Sequence, residues 1–106
     1  MVITKFYGGI MNLTKHEKIL RTVQRSDGGF TYEYILSLGE STATSSFRIP
    51  LYGITVRLTA PDGTVTERAS HELFSDLSHA LEFFDKISLA LVTPINLPYV
   101  IEDELK

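Results

Sequence analysis

The sequence predicts an α+β fold in β-β-β-β-α order: a four-stranded antiparallel sheet, one long C-terminal helix packed on one face, and a short terminal helical turn. Three observations carry that prediction. Apolar and polar residues alternate with period two, most regularly from Leu51 to Ala60. Turn-forming Asp-Gly and Pro-Asp-Gly runs separate consecutive β-rich segments. From Leu77 to Leu91 apolar residues recur at spacings of three and four, the period of a helix with one buried stripe.

The elements follow in chain order. Residues 1–14 show no sustained period and are broken by Gly8-Gly9, so they read as a loose lead-in or a short edge strand, with Met11 as an alternative start. From His16 to Gly39 two β-rich runs meet at Ser26-Asp27-Gly28-Gly29, a hairpin signal. With Asp27-Gly28 as the two-residue turn, Arg25 pairs with Phe30, Val23 with Tyr32, Arg21 with Tyr34 and Ile19 with Leu36, all on one face. Residues 40–46 are small and polar and read as a flexible loop. After Pro50, Tyr52, Ile54, Val56 and Leu58 share one side of a strand, and Gly53, Thr55, Arg57 and Thr59 share the other. Pro61-Asp62-Gly63 turns the chain back, because proline suits the first turn position and glycine the positive φ that closes it. A fourth strand, Thr64 to Glu72, places Val65 and Ala69 on one side with Glu67, a mixture that fits a sheet edge.

For the helix, Ser75 is the expected N-cap and Asp76 puts negative charge in the first turn. Leu77, Ala80, Leu81, Phe84, Ile87, Ser88 and Leu91 form the stripe, and Thr93-Pro94 stops the helix. The terminal turn, Leu97 to Leu105, begins around Asn96 and Pro98 and ends in an acidic tip, Glu102-Asp103-Glu104.

Composition bounds the function. A chain of 106 residues with 43% hydrophobic residues suits a single domain; a domain of this size buries roughly 65% of its unfolded surface and needs no covalent staple. The absence of cysteine excludes thiol catalysis, disulfides, zinc ribbons and iron–sulfur ligation. The most apolar stretch, Leu81 to Val92, is interrupted by Glu82, Asp85 and Lys86, so no membrane contact is expected. The opening residues lack a signal peptide's apolar run, and the expected location is cytoplasmic. Lys5, Lys15, Lys18, Arg21 and Arg25 make residues 1–25 basic, while the remainder is acidic enough to bring the chain to −3. Such asymmetry favours association between the two ends, within or between molecules, over binding to a phosphate backbone.

No constellation of residues reads as a catalytic centre. His79 has Asp76 three residues before it and Glu82 three after, but no further ligand converges and no His-Glu-x-x-His motif is present, so ordinary helix-surface pairs are expected. His16 and His71 stand alone. No serine lies in Gly-x-Ser-x-Gly, and Gly8-Gly9 and Gly28-Gly29 lack the further glycines and lysine of a phosphate loop. Glu67 and Glu72 carry no sign of the burial that splits carboxyl pKa values for acid–base work. No catalytic, metal or cofactor site is therefore expected. The candidate interaction surface is the aromatic strand Phe30, Tyr32 and Tyr34 flanked by Arg21 and Arg25, together with Glu102, Asp103 and Glu104 at the tip. Aromatic rings beside arginine bind small ligands or single-stranded nucleic acid by stacking, although the ribonucleoprotein consensus is absent. The leading expectation is a small non-catalytic protein-interaction or regulatory module, a homodimer that contacts its protein partner through the uncovered sheet face or the acidic tip.

Tyr52-Gly53-Ile54 and the ending from Val92-Thr93-Pro94 to Glu104-Leu105 resemble a family of short clostridial-type Firmicute proteins that carry a domain of unknown function, with a Val-x-Pro-x-x-Leu-x-x-Val-Ile-x-Asp signature. The resemblance covers Leu51 to Leu105. This chain has Asn96-Leu97 and Pro98-Tyr99 where many members have His-Leu followed by an acidic residue. The resemblance implies a bacterial cytoplasmic protein and supplies no activity. Physically, the signature reads as architecture: Pro94 ends the helix, Leu97 and Val100 pack back on its last turn, and Gly53 marks a bulge or close backbone approach.

Overall fold

A computed structural model describes residues 18–41 and 49–106. Strands β1 (Lys18–Asp27), β2 (Phe30–Ser41), β3 (Ile49–Thr59) and β4 (Val65–Phe74) are followed by helices α1 (Leu77–Leu89) and α2 (Leu97–Glu104). The strands form one antiparallel sheet in the order β1-β2-β3-β4. The expected lead-in at residues 1–14 lies outside the described residues. So does most of the expected loop at 40–46, of which Glu40 and Ser41 complete β2.

The first hairpin forms, but its register differs from the sequence expectation. Gly28 and Gly29 have φ of 59° and 85°, and Asp27 pairs with Phe30. A two-residue hairpin turn of this kind needs positive φ at both central positions; two glycines supply it without strain, whereas Asp27-Gly28 would put a side chain in that region. From Arg21 to Asp27 the ladder therefore slides by one pair, so that Arg25 faces Tyr32, Val23 faces Tyr34 and Arg21 faces Leu36; beyond an irregularity, Ile19 faces Ser37 and not the expected Leu36. Arg21, Val23 and Arg25 keep their expected face, because a shift of two residues preserves the alternation. At the second hairpin, Gly63 (φ 92°) donates to the Ala60 carbonyl at 2.9 Å, and Asp62 Oδ1 accepts from the Thr64 amide at 2.9 Å.

The core lies between one sheet face and the helices. Tyr34 and Leu36 from β2, Ile54 and Val56 from β3 and Phe74 from β4 meet Ala80, Phe83, Phe84 and Ile87 from α1 and Leu97 from α2. Burying each large apolar side chain stabilises the fold by about 1.5–3 kcal/mol. Tyr34 lies entirely within this core, where its hydroxyl donates to the Val92 carbonyl at 2.9 Å. Burial, reinforced by neighbouring Tyr32 and opposed by Arg25, pushes its phenol up to about 12.

Both ends of α1 depart from expectation. The N-cap is Asp76, not Ser75: its backbone is extended and its Oδ2 accepts the His79 amide hydrogen at 2.9 Å. The helix closes at Leu89, well before Pro94. Leu91 enters the left-handed region (φ 54°) and donates to Ser88 O at 3.4 Å, while Val92 donates to Ile87 O at 3.0 Å. This is the Schellman closure, here with leucine where glycine is usual. A Cβ in that conformation costs about 1–2 kcal/mol, offset by the carbonyls it satisfies. With the helix starting and ending at these points, the buried stripe includes Phe83, leaves Leu77 largely exposed and excludes Leu91 from the helix. Thr93 O then accepts from Asn96 and Leu97, turning the chain into α2.

Candidate functional site: the β4 edge of the sheet

Arg21, Arg25, Tyr32 and Tyr34 share a sheet face, as their alternation requires, and it is the face that α1 covers. Tyr34 is fully buried, Tyr32 packs against the core, and Arg21 reaches across to Asp85 of α1 at 3.4 Å. Exposed ion pairs of that kind contribute about 0–1 kcal/mol. The Tyr32 and Tyr34 rings lie parallel with centroids 6.5 Å apart, yet a ring sealed in the core offers no face to a base or ligand. Phe30 is partly exposed beside the hairpin turn. Tyr32 and Tyr34 thus belong to the core, and Phe30 does not.

The opposite sheet face is polar. Thr31, Glu33, Thr55, Arg57, Thr59 and Glu67 line it in register, with Ile35, Val65 and Ala69 scattered among them. Arg57 spans three strands, donating to Glu33 at 2.6 Å and Glu67 at 2.9 Å. Burial alone would lower its pKa, but the hydrogen bonds and charges of Glu67 and Glu33 outweigh that and raise it. These groups satisfy one another, and the face offers no broad apolar platform.

Strand β4 is an edge strand among the described residues, as its mixed faces predicted. Its hydrogen-bond phase follows from the turn. The Ala60 amide donates to Thr64 O at 2.8 Å, so the pairs Leu58–Thr66, Val56–Arg68 and Ile54–Ser70 carry the ladder bonds. The same alternation turns the backbone N–H and C=O groups of Val65, Glu67 and Ala69 outward, away from β3. The regular run ends in a bulge: Ile54 faces Ser70 and Tyr52 faces Phe74, leaving Gly53 opposite His71, Glu72 and Leu73, with Glu72 at φ 57°. Gly53 makes the bulge possible, since a Cβ there would stand 2.9 Å from Ser70 O and 3.1 Å from the His71 Cα. The close backbone approach read from the sequence is present.

Helix α2 walls this edge. Leu97 is buried, and Val100 and Ile101 pack against the core. Its far end is held by Glu104, which meets His79 Nε2 at 2.7 Å and accepts from Lys86 Nζ at 3.0 Å. The His79 ring in turn lies 4.3 Å from Phe74, centroid to centroid. The residues considered as a metal set are thereby separated: Asp76 caps α1, His79 turns to Glu104, and no group of three potential ligands converges among the described residues. Of the acidic tip, Glu104 is engaged, while Glu102 and Asp103 are exposed and Asp103 lies 3.7 Å from Lys106.

Hydrogen bonds from His79 and then Lys86 hold the Glu104 carboxyl below the usual carboxylate range. Because its folded value is depressed, this contribution is complete at neutral pH and is lost as acid protonates the group below about pH 4. Backbone NMR of Val100–Glu104 is expected to show α2 loosening there before the sheet responds. Glu104→Gln is expected to abolish that transition.

Between α2 and β4 lies a cavity of about 240 Å³ lined by Arg68, Ala69, Ser70, Leu97, Pro98 and Ile101. It is smaller than the roughly 300–1,000 Å³ of sites for drug-sized ligands, and its scale is that of a side chain. Arg68 is exposed at its rim, and its guanidinium has no hydrogen bond or ion pair among the described residues. Sequence reasoning placed β4 at an edge but missed this groove, which exists only once α2 folds back beside the strand.

A family model described as a family of unknown function (DUF6514) matches residues 14–106, and the chain belongs to that family. The match takes in all four strands and both helices, more of the chain than the Leu51–Leu105 resemblance. No curated protein and no solved structure matches.

Proposed function

Since a family of unknown function hands on no activity, we propose from the geometry that this chain is a non-catalytic protein-interaction module, accepting an extended segment of a partner along β4. One observation carries the reading: the outward amides and carbonyls of Val65, Glu67 and Ala69 lie at an edge that no other described strand pairs with, beside a groove walled by α2. An added strand would complete those hydrogen bonds, and the groove would take its side chains. Further support is that the groups suited to chemistry are committed to structure: Asp76 to a cap, His79 to Glu104, Glu33 and Glu67 to Arg57.

A different protein suits this edge better than a second copy. Antiparallel self-pairing centred on Glu67 or Arg68 sets like charges opposite one another. Centring on Thr66 runs into the Pro61–Gly63 turn, and centring on Ala69 runs into the bulge at His71. The reading moves the interface from the sheet face to the sheet edge and keeps the expected cytoplasmic setting.

The test is selection of binders from a library of extended nine-residue peptides, followed by amide exchange on the labelled protein. Binding is expected to protect the amides of Val65, Glu67 and Ala69. Ala69→Pro, which removes an outward donor at an edge position where proline is tolerated, is expected to weaken binding at least about tenfold without unfolding the sheet. Binders that leave those amides exchanging would overturn the proposal.

A further inference from the structure

We infer that the segment received by β4 carries an acidic residue and an apolar residue two positions apart, the first read by Arg68 and the second by the pocket of Leu97, Pro98 and Ile101. The inference rests on the strand-addition reading and adds the chemistry of the partner.

The register dictates the spacing. Thr66, Arg68 and Ser70 direct their side chains to the helix side of the sheet, since they pair with Leu58, Val56 and Ile54 on the core-facing side. In an added strand, the residues opposite Arg68 and Ser70 project to that same side, and they are two apart in sequence. The residue opposite Ser70 arrives beside the cavity, whose walls are the apolar side chains of α2. The residue opposite Arg68 arrives beside a guanidinium that no carboxylate of the described chain engages. Arginine presents a planar fork of donors matched to a carboxylate, and pairing the two is stronger than a neutral hydrogen bond. The intervening residue turns to the opposite face, where Glu67 and Ala69 point, and is unconstrained by the groove. The chemistry read along the edge is therefore acidic-x-apolar.

The experiment uses the full chain and synthetic nine-residue peptides on one neutral β-prone frame: Glu-x-Leu, Gln-x-Leu, Glu-x-Ala, and a peptide with Glu and Leu adjacent. Fluorescence anisotropy is expected to show Glu-x-Leu binding at least about tenfold tighter than the other three, with its advantage over Gln-x-Leu shrinking as salt rises. Arg68→Glu is expected to reverse the preference, favouring Lys-x-Leu over Glu-x-Leu; because Arg68 is exposed, the variant retains the fold.

Equal binding of Glu-x-Leu and Gln-x-Leu, or no reversal in Arg68→Glu, would overturn the inference. If amide protection at Val65, Glu67 and Ala69 persists in that case, strand addition survives and only the partner chemistry fails; if no peptide protects those amides, both fail. Protection of the same amides in the isolated monomer would identify a segment of the same chain as the occupant. Protection appearing with concentration-dependent dimerisation would identify a second copy. Either result overturns the inference.

Discussion

Phe84→Ala is expected to lower the free energy of unfolding by about 3–5 kcal/mol, against a total of about 5–15 kcal/mol for a domain. Phe84 has no exposed surface and sits on the stripe of α1 that faces Tyr34, Leu36, Ile54 and Val56. Truncation removes the transfer energy of the ring and leaves a cavity between a helix and a sheet, neither of which collapses freely into it. Urea denaturation followed by far-UV circular dichroism measures the loss. Leu89→Ala, five residues on but 68% exposed, is the internal control and is expected to change stability by less than about 0.5 kcal/mol. Similar losses at both positions would contradict the packing of α1 onto the sheet.

The second large effect is expected at Gly53. Alanine brings a Cβ against Ser70 O and the His71 Cα, both backbone atoms that cannot rotate away, so β3 and β4 must spread or the bulge must unwind. Overpacking of this kind costs about 1–3 kcal/mol, and the β-branched Gly53→Val is expected to exceed the upper figure. Thermal unfolding gives the size of the effect, and faster amide exchange at His71–Leu73 gives its place. Gly39→Ala is the matched control, because a Cβ there meets nothing nearer than Leu51 O at 3.9 Å. Restoring a regular ladder at the bulge would also lengthen the edge available to a partner, so a Gly53 variant links stability to the proposed binding.

The legible parts of the fold are those encoded by local pattern. Tyr52, Ile54, Val56 and Leu58 declared their buried side by alternation, and Glu67 beside Val65 and Ala69 declared an edge. Where two adjacent residues were chemically able to do the same job, the sequence was ambiguous by one position. Asp27-Gly28 and Gly28-Gly29 both make hairpin turns, and the choice fell to the pair with positive φ at both sites. Ser75 and Asp76 both cap helices, and the choice fell to the residue whose carboxylate reached the His79 amide. The end of α1 was hidden for a different reason. Leu91 takes a conformation that glycine usually signals, so nothing in its side chain announced the stop. The candidate site was illegible because it belongs to no single element: Arg68 reads as an ordinary strand residue, and the groove requires α2 beside β4.

The order of the strands has a kinetic corollary. Each described strand pairs with its neighbour in sequence, β1 with β2, β2 with β3 and β3 with β4. The loops closing the first and last of these pairs are short, so their ladders can zip from the turns at Gly28-Gly29 and Pro61–Gly63 with little chain entropy lost before contacts form. A meander of this kind keeps sequence separations low for a sheet protein, which places its folding toward the fast end of the β-rich range. The helices come last in the chain, and in the folded state they seal one side of that sheet.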